Sequence, residues 1–172
     1  MSAQPIHAPR DLRSIRPEDL AYLAGIIDGE GWIGVARSGK HFHLRLVVGS
    51  NDRVLVDWLA AKTGRGVIRA YDRGGNRKRT YQWTCFGTVA SAVLQVVFPF
   101  IVVNHLQAEI GVRFYLHGID KRPLLGDELQ RLNSGKGGRM NELIQAELAT
   151  EMVEEDATAF DFPVRVVADE SA

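Results

Sequence analysis

Two carboxylates one residue apart, Asp28 and Glu30, stand among glycines in the stretch Asp19-Leu-Ala-Tyr-Leu-Ala-Gly-Ile-Ile-Asp-Gly-Glu-Gly-Trp-Ile33. Acids in this pattern suit a hard divalent cation. Mg²⁺ takes one or two carboxylates and completes its shell with water and phosphate oxygens. An EF-hand is excluded, because a calcium loop opening at Asp28 needs glycine at its sixth position, where Ile33 stands. A phosphate-cradling loop fits poorly: the glycines follow the apolar run instead of opening a helix, and no Gly-Lys-Ser/Thr occurs. The competing reading is a solvated turn with two exposed acids.

The elements around the pair sharpen the choice. Leu20, Leu23, Ala24 and Ile27 recur at helical spacing, so the sequence predicts a helix from the Pro17-Glu18-Asp19 turn to about Ile27. Gly29 and Gly31 can then turn the chain into a strand beginning near Trp32. Both acids therefore fall at a helix C-terminus, where the macrodipole disfavours each negative charge by tenths of a kcal/mol up to about 1. A bound cation would resolve that conflict.

Further along, Trp32 to Arg37 and His41 to Gly49 read as a hairpin about Ser38-Gly39-Lys40. Asn51 or Asp52 caps a helix to about Lys62, with Val54, Leu55, Trp58 and Leu59 as its inner stripe, and Thr63-Gly-Arg-Gly66 ends it. A second hairpin joins Val67 to Asp72 and Arg79 to Phe86 through a basic glycine turn, Arg73 to Lys78. Thr88 can cap a helix through Val97, Pro99 breaks it, and another runs from about Val102 to Leu116. The fold class is α+β, in the order αββαββα, with a four-stranded antiparallel sheet and extra C-terminal helices.

Alternation sorts the strands into two faces. Phe42, Leu44, Leu46 and Val48 point one way; His41, His43, Arg45, Val47 and Gly49 point the other. Arg69, Tyr71 and Arg73 oppose Ile68 and Ala70, and Thr80, Gln82 and Thr84 oppose Tyr81, Trp83 and Cys85. One sheet surface thus gathers arginines, histidines, Gln82, Thr84 and Tyr71. A strand of about eight residues spans roughly 26 Å, or about eight base pairs, which suits a ribbon in a DNA major groove. Arg45, Arg69, Arg73 and Gln82 are the base-reading candidates, with His41 and His43 secondary, while Arg77, Lys78 and Arg79 at the tip suit phosphates. Singly, each arginine is equally well a solvated edge residue; the case rests on the face they share.

At 172 residues the chain can form one domain with a core and a tail. Its lone cysteine, Cys85, excludes an internal disulfide framework and a cysteine zinc site. The N-terminus lacks the apolar core of a secretory signal, and no apolar run approaches the roughly 20 residues of a membrane span, so an intracellular setting is expected. Bases and acids number 21 each, but residues 1–141 hold 20 bases and 12 acids while residues 142–172 hold one and nine. A body of +8 beside a tail of −8 suits a polyanionic partner for the body.

The nonapeptide Leu23-Ala-Gly-Ile-Ile-Asp-Gly-Glu-Gly31 resembles the signature of the LAGLIDADG homing endonucleases, with Ile26, Gly29 and Glu30 as variants of its consensus. The element order is similar to that family's half-saddle unit over residues 17–118. The resemblance implies a metal-dependent DNA endonuclease using Mg²⁺ or another divalent cation such as Mn²⁺. Glu30, with Gly29 beside it, would hold the metal, and Asp28 would cap or orient helix ends. A water-orienting residue is implied among Ser50, Asn51 and Asp52, with Asn51 the chosen candidate. Asn104 falls where members often place a charge-stabilising lysine, with His105 beside it, and no Lys or Arg lies between Phe86 and Glu109, so the resemblance implies that Asn104 or His105 takes the lysine's catalytic part or that activity is slow or lost. Only one motif copy is present, which implies a homodimer meeting through Tyr22, Ala24, Gly25 and Asp28, and a roughly palindromic double-stranded DNA site of about 16–20 base pairs. Two other readings stay open: a non-cleaving DNA-binding regulator or RNA maturase on this fold, and a scaffold whose helix pair only dimerises. Residues 1–16 are expected to be a loosely ordered arm. Residues 119–153 read as a helical extension, with helices over 124–132 and 140–153, and residues 154–172 as an acidic, partly disordered tail.

Overall fold

Pro17 opens the first helix at a position that needs no N–H donor, with Glu18 and Asp19 in the positive first turn. In the computed structural model, which describes residues 11–39, 41–72 and 78–134, this helix (α1, Pro17–Glu30) is longer than its apolar spacing predicts and carries both acids within it. Leu23, Ala24, Ile26 and Ile27 form its buried face. Gly31 ends it: its N–H donates to the Ile27 carbonyl, and a Cβ there would lie 2.4 Å from that oxygen. Before α1, Leu12–Ser14 forms a 3₁₀ turn that buries Leu12 against the third helix; the rest of the expected arm, residues 1–10, lies outside the described residues.

The strands follow the alternation. Gly31–Ser38 (β1) and His41–Ser50 (β2) pair antiparallel from Gly31 opposite Val48 to Ser38 opposite His41. Helix α2 (Arg53–Thr63) is capped by Asp52, whose carboxylate accepts the Val54 N–H at 2.9 Å. Its buried stripe is Val56, Leu59, Ala60 and Thr63, one step round from the predicted one: Val54 is 74% exposed, and Trp58 instead meets the Tyr22 ring edge-on at 4.9 Å. Val67–Tyr71 (β3) and Thr80–Phe86 (β4) complete one antiparallel sheet in the order β1-β2-β4-β3.

Helices α3 (Gly87–Val97) and α4 (His105–Arg113) pack with α1 and α2 on the face holding Leu44, Leu46, Val48 and Trp83. The helix predicted from Val102 to Leu116 is shorter at both ends, because a 3₁₀ turn at Phe98–Phe100 and a tethered loop precede it. The fold is the expected α+β order, αββαββα, with α5 (Arg122–Asn133) added. This last helix guards the free edge of β1: the Asn133 side-chain amide donates to the Ile33 carbonyl at 2.8 Å. It also approaches β2 closely, since a Cβ on Gly126 would fall 2.8 Å from the Phe42 ring. No helix among the described residues is long and apolar enough to cross a membrane. The helix and tail expected beyond residue 134 lie outside the described residues.

Gly66 shows how tightly the second hairpin is anchored. It adopts φ +84°, and a Cβ there would sit 2.4 Å from the Trp83 indole nitrogen, which itself donates to the Arg65 carbonyl at 2.8 Å. Gly66→Ala is expected to cost about 2–3 kcal/mol through backbone strain and overlap together, read from chemical denaturation midpoints at unchanged m-value.

Candidate metal and nucleic-acid site

Asp28 and Glu30 have opposite surroundings. The Asp28 carboxylate, on the last turn of α1, accepts the backbone N–H groups of Val102 at 2.7 Å and Asn104 at 2.9 Å. Those amides belong to the positive entry of α4, so a charge misplaced for its own helix is well placed for the next. Partial burial works to raise the Asp28 carboxyl, but the amides of Asn104, Val102 and Val103 outweigh it and hold it below the usual carboxylate range. Asn104 answers from the other side: its side-chain amide donates to the carbonyls of Ile27 at 3.1 Å and Asp28 at 3.3 Å. Each residue thus caps the helix end carried by the other.

Glu30, two residues on, is exposed and makes no hydrogen bond or ion pair with any described residue. Gly29 is exposed beside it. Among the described residues no three His, Cys, Asp or Glu side chains converge to hold a metal. One chain therefore offers a single free carboxylate at a negative helix end. That fits Mg²⁺ or Mn²⁺ completed by a second carboxylate, water and phosphate oxygens, and does not fit a closed zinc site.

The remaining catalytic candidates have other ties. Asn104 has its side-chain amide engaged by the carbonyls of Ile27 and Asp28 at the end of α1. Asn51 accepts from the Thr80 hydroxyl at 3.2 Å, while Ser50 and Asp52 are taken up in capping α2. His105, exposed at the first position of α4, lies against Phe98 with ring centroids 4.7 Å apart.

On the outer face of the sheet, the register aligns residues into rows that cross three or four strands. Gly49, Gln82 and Arg69 form one row, and Gly34, Arg45 and Phe86 another. His41, His43, Arg69 and Tyr71 are exposed on this face. Lys78 and Arg79 are exposed at the hairpin tip, with Arg79 paired to Asp72 at 3.4 Å. Arg45 lies over the exposed Phe86 ring at 5.3 Å, which fixes its guanidinium. Tyr71 donates to the Gln82 side-chain carbonyl at 3.2 Å. Thr84 is a correction: the row Trp32, Val47, Thr84, Val67 crosses the sheet centre, and Thr84 between two valines is only 4% exposed. Arg73 and Arg77 lie outside the described residues. Ala24 is a second correction, fully buried in the chain's own core; the exposed small residues of α1 are Ala21, Gly25 and Gly29, with Tyr22 alongside. Sequence reasoning passed over Trp32 and Phe86, although β1 alternation already puts Trp32 opposite Ile33 and Val35.

No family model and no curated protein sequence matches the chain. Solved structures do. The homing endonuclease I-CvuI in complex with a DNA target superposes with a TM-score of 0.55 at 19% identity, over 78% of this chain and 97% of that one. The archaeal intron-encoded homing endonuclease I-Vdi141I, complexed with DNA, gives 0.55 at 18% identity over 80% and 97%. The meganuclease I-SmaMI bound to uncleavable DNA gives 0.50 at 20% identity over 78% of this chain and 48% of that one. The likeness shows the shared homing-endonuclease fold.

The Asp28 clasp has a defined pH signature. A depressed carboxyl contributes stability that is fully present above its unfolded pKa and is lost as pH falls through the lower folded value. Asp28→Asn is expected to melt lower than wild type at neutral pH, by about 1–2 kcal/mol, with the gap closing in acid. Thermal melts of both proteins from pH 7 to pH 3 check this.

Proposed function

We propose that this fold is used as in the DNA-bound structures it resembles: the chain is a sequence-specific, divalent-metal-dependent DNA endonuclease that works as a homodimer on a long, roughly palindromic site. The observation that carries the reading is the division of labour between two neighbouring acids. Asp28 is saturated by backbone amides, whereas Glu30 is left exposed and unpaired at the end of the same helix.

The outer face of α1 supports pairing with a second copy. Nothing lies within 4 Å of a Cβ built on Gly25 or Gly29, so another helix can approach to backbone contact there, with Tyr22 beside it. Two such helices bring two Glu30 side chains to one axis, and with Gly29 these residues would hold the cation. A bound Mg²⁺ there supplies Lewis acidity toward a scissile phosphate and acidifies a water. The residues of this chain do the rest. Asp28 and Asn104 fix the helix end that aims Glu30, and the outer sheet face lies along the groove with Arg45, Arg69 and Gln82 toward base edges. Lys78 and Arg79 set the register on phosphates.

A second reading has its own support. No Lys or Arg occurs between Phe86 and Glu109, and Asn104 is engaged in the clasp, so this chain places no cation of its own there. That favours a regulator or RNA maturase that binds without cutting.

Glu30→Gln separates the two. Specific DNA binding is expected within about twofold of wild type, while Mg²⁺-dependent cleavage falls by about a hundredfold or more, a loss of roughly 3 kcal/mol of transition-state stabilisation. Specific binding by wild type with no cleavage in Mg²⁺ or Mn²⁺ would leave the regulator reading standing. Gly25→Leu, which meets open space in the single chain, is expected to keep the helical circular-dichroism signal and convert the dimer to monomer in sedimentation.

A further inference from the structure

At the end of the β1-β2 hairpin remote from Glu30, β2 and the entry to α5 enclose a cavity of about 140 Å³. Its lining divides by chemistry. Phe42, Ile119 and Pro123 are apolar, whereas His41 and His43 bring imidazole rings and Arg122 a guanidinium. The two histidines are exposed on the outer sheet face, in line with Arg45. Arg122 is prepared for an anion: its guanidinium lies over the Tyr115 ring at 4.7 Å, and its Nε is buried without a hydrogen-bond partner among the described residues. Asp120 is the one acid between residues 110 and 126, a span that also holds Arg113, His117, Lys121 and Arg122.

Position narrows the ligand. From Gly31, next to Glu30, to Ser38, opposite His41, the strand advances seven residues, or roughly 23 Å, on the order of seven base pairs. We infer that this cavity is a phosphodiester pocket, built partly by α5, that grips the DNA backbone at the outer flank of each half-site. The inference rests on the proposed function and adds a contact from outside the αββαββα unit. It also moves His41 and His43 from base reading to backbone anchoring.

The test uses the full chain and its selected target, in duplexes trimmed stepwise at both ends. Wild type is expected to bind the long duplex about three- to tenfold more tightly than one ending short of the pocket. Arg122→Ala and the double variant His41→Gln/His43→Gln are expected to lose that advantage and to bind the short duplex like wild type. The Arg122→Ala salt slope should fall by about one on the long duplex only, with Arg122→Lys recovering part of it. Equal binding of long and short duplexes by wild type, or equal losses by the variants on both, overturns the pocket while leaving DNA binding intact. Failure of wild type to bind any duplex sinks the parent reading and the pocket with it. Inorganic phosphate raising the melting temperature in an Arg122-dependent way, with no dependence on flank length, would assign the cavity to a free anion and overturn the DNA assignment.

Discussion

The reciprocal capping of Asp28 and Asn104 is the contact on which the rest of the molecule turns. A helix ending in acids confronts its own dipole, and the entry of the next helix confronts unsatisfied amides. Here each problem is the other's remedy. The Asp28 carboxylate collects the amides of Val102 and Asn104, and the Asn104 side chain covers the last carbonyls of α1. Two segments more than seventy residues apart are thereby fixed to one another. The direction in which α1 delivers Glu30 becomes a property of the whole core instead of a frayed helix tip.

Everything behind that tip serves to hold it. Asp19, at the other end of α1, accepts from Lys62 at 2.8 Å and Arg16 at 3.1 Å, tying the helix start to the end of α2. Leu23, Ala24 and Ile27 fill the space above the sheet, and Gly31 makes the strand begin without a gap. The helix is thus clamped at both ends and along its inner side. Its outer side, lined by Ala21, Gly25 and Gly29, is left bare.

The sheet shows a comparable economy. Its helix-covered side is apolar through its centre, from Val35 and Leu44 to Val48 and Trp83, and its outer side is a banded surface instead of a polar one. An apolar row through Trp32, Val47, Thr84 and Val67 is flanked by rows carrying Gln82 with Arg69 and Arg45 with Phe86. The Phe86 ring beneath the Arg45 guanidinium holds one long side chain of this surface in place.

Much of this was legible in the residues alone. Period-two alternation in His41–Ser50 and Thr80–Phe86 identified the strands and their buried sides, because a strand must show one face to the core. The Pro17 start, the Asp52 cap and the Gly64 stop follow from local backbone chemistry, and the spacing of Asp28 and Glu30 singled out the end of α1. What the sequence left open were matters settled by partners distant along the chain. That Asp28 is satisfied while Glu30 is not depends on a loop at residues 102–104, and no local pattern shows that the Asn104 side-chain amide lies on the end of α1. The family resemblance placed Ala24 with Gly25 at a helix contact, yet a turn of 100° per residue puts one in the core and the other in the open. Thr84 alternates onto the outer face and is still covered, because its cross-strand neighbours are valines. Local pattern chose the elements; only the packed chain decided which polar groups were spent on holding it together and which were left exposed.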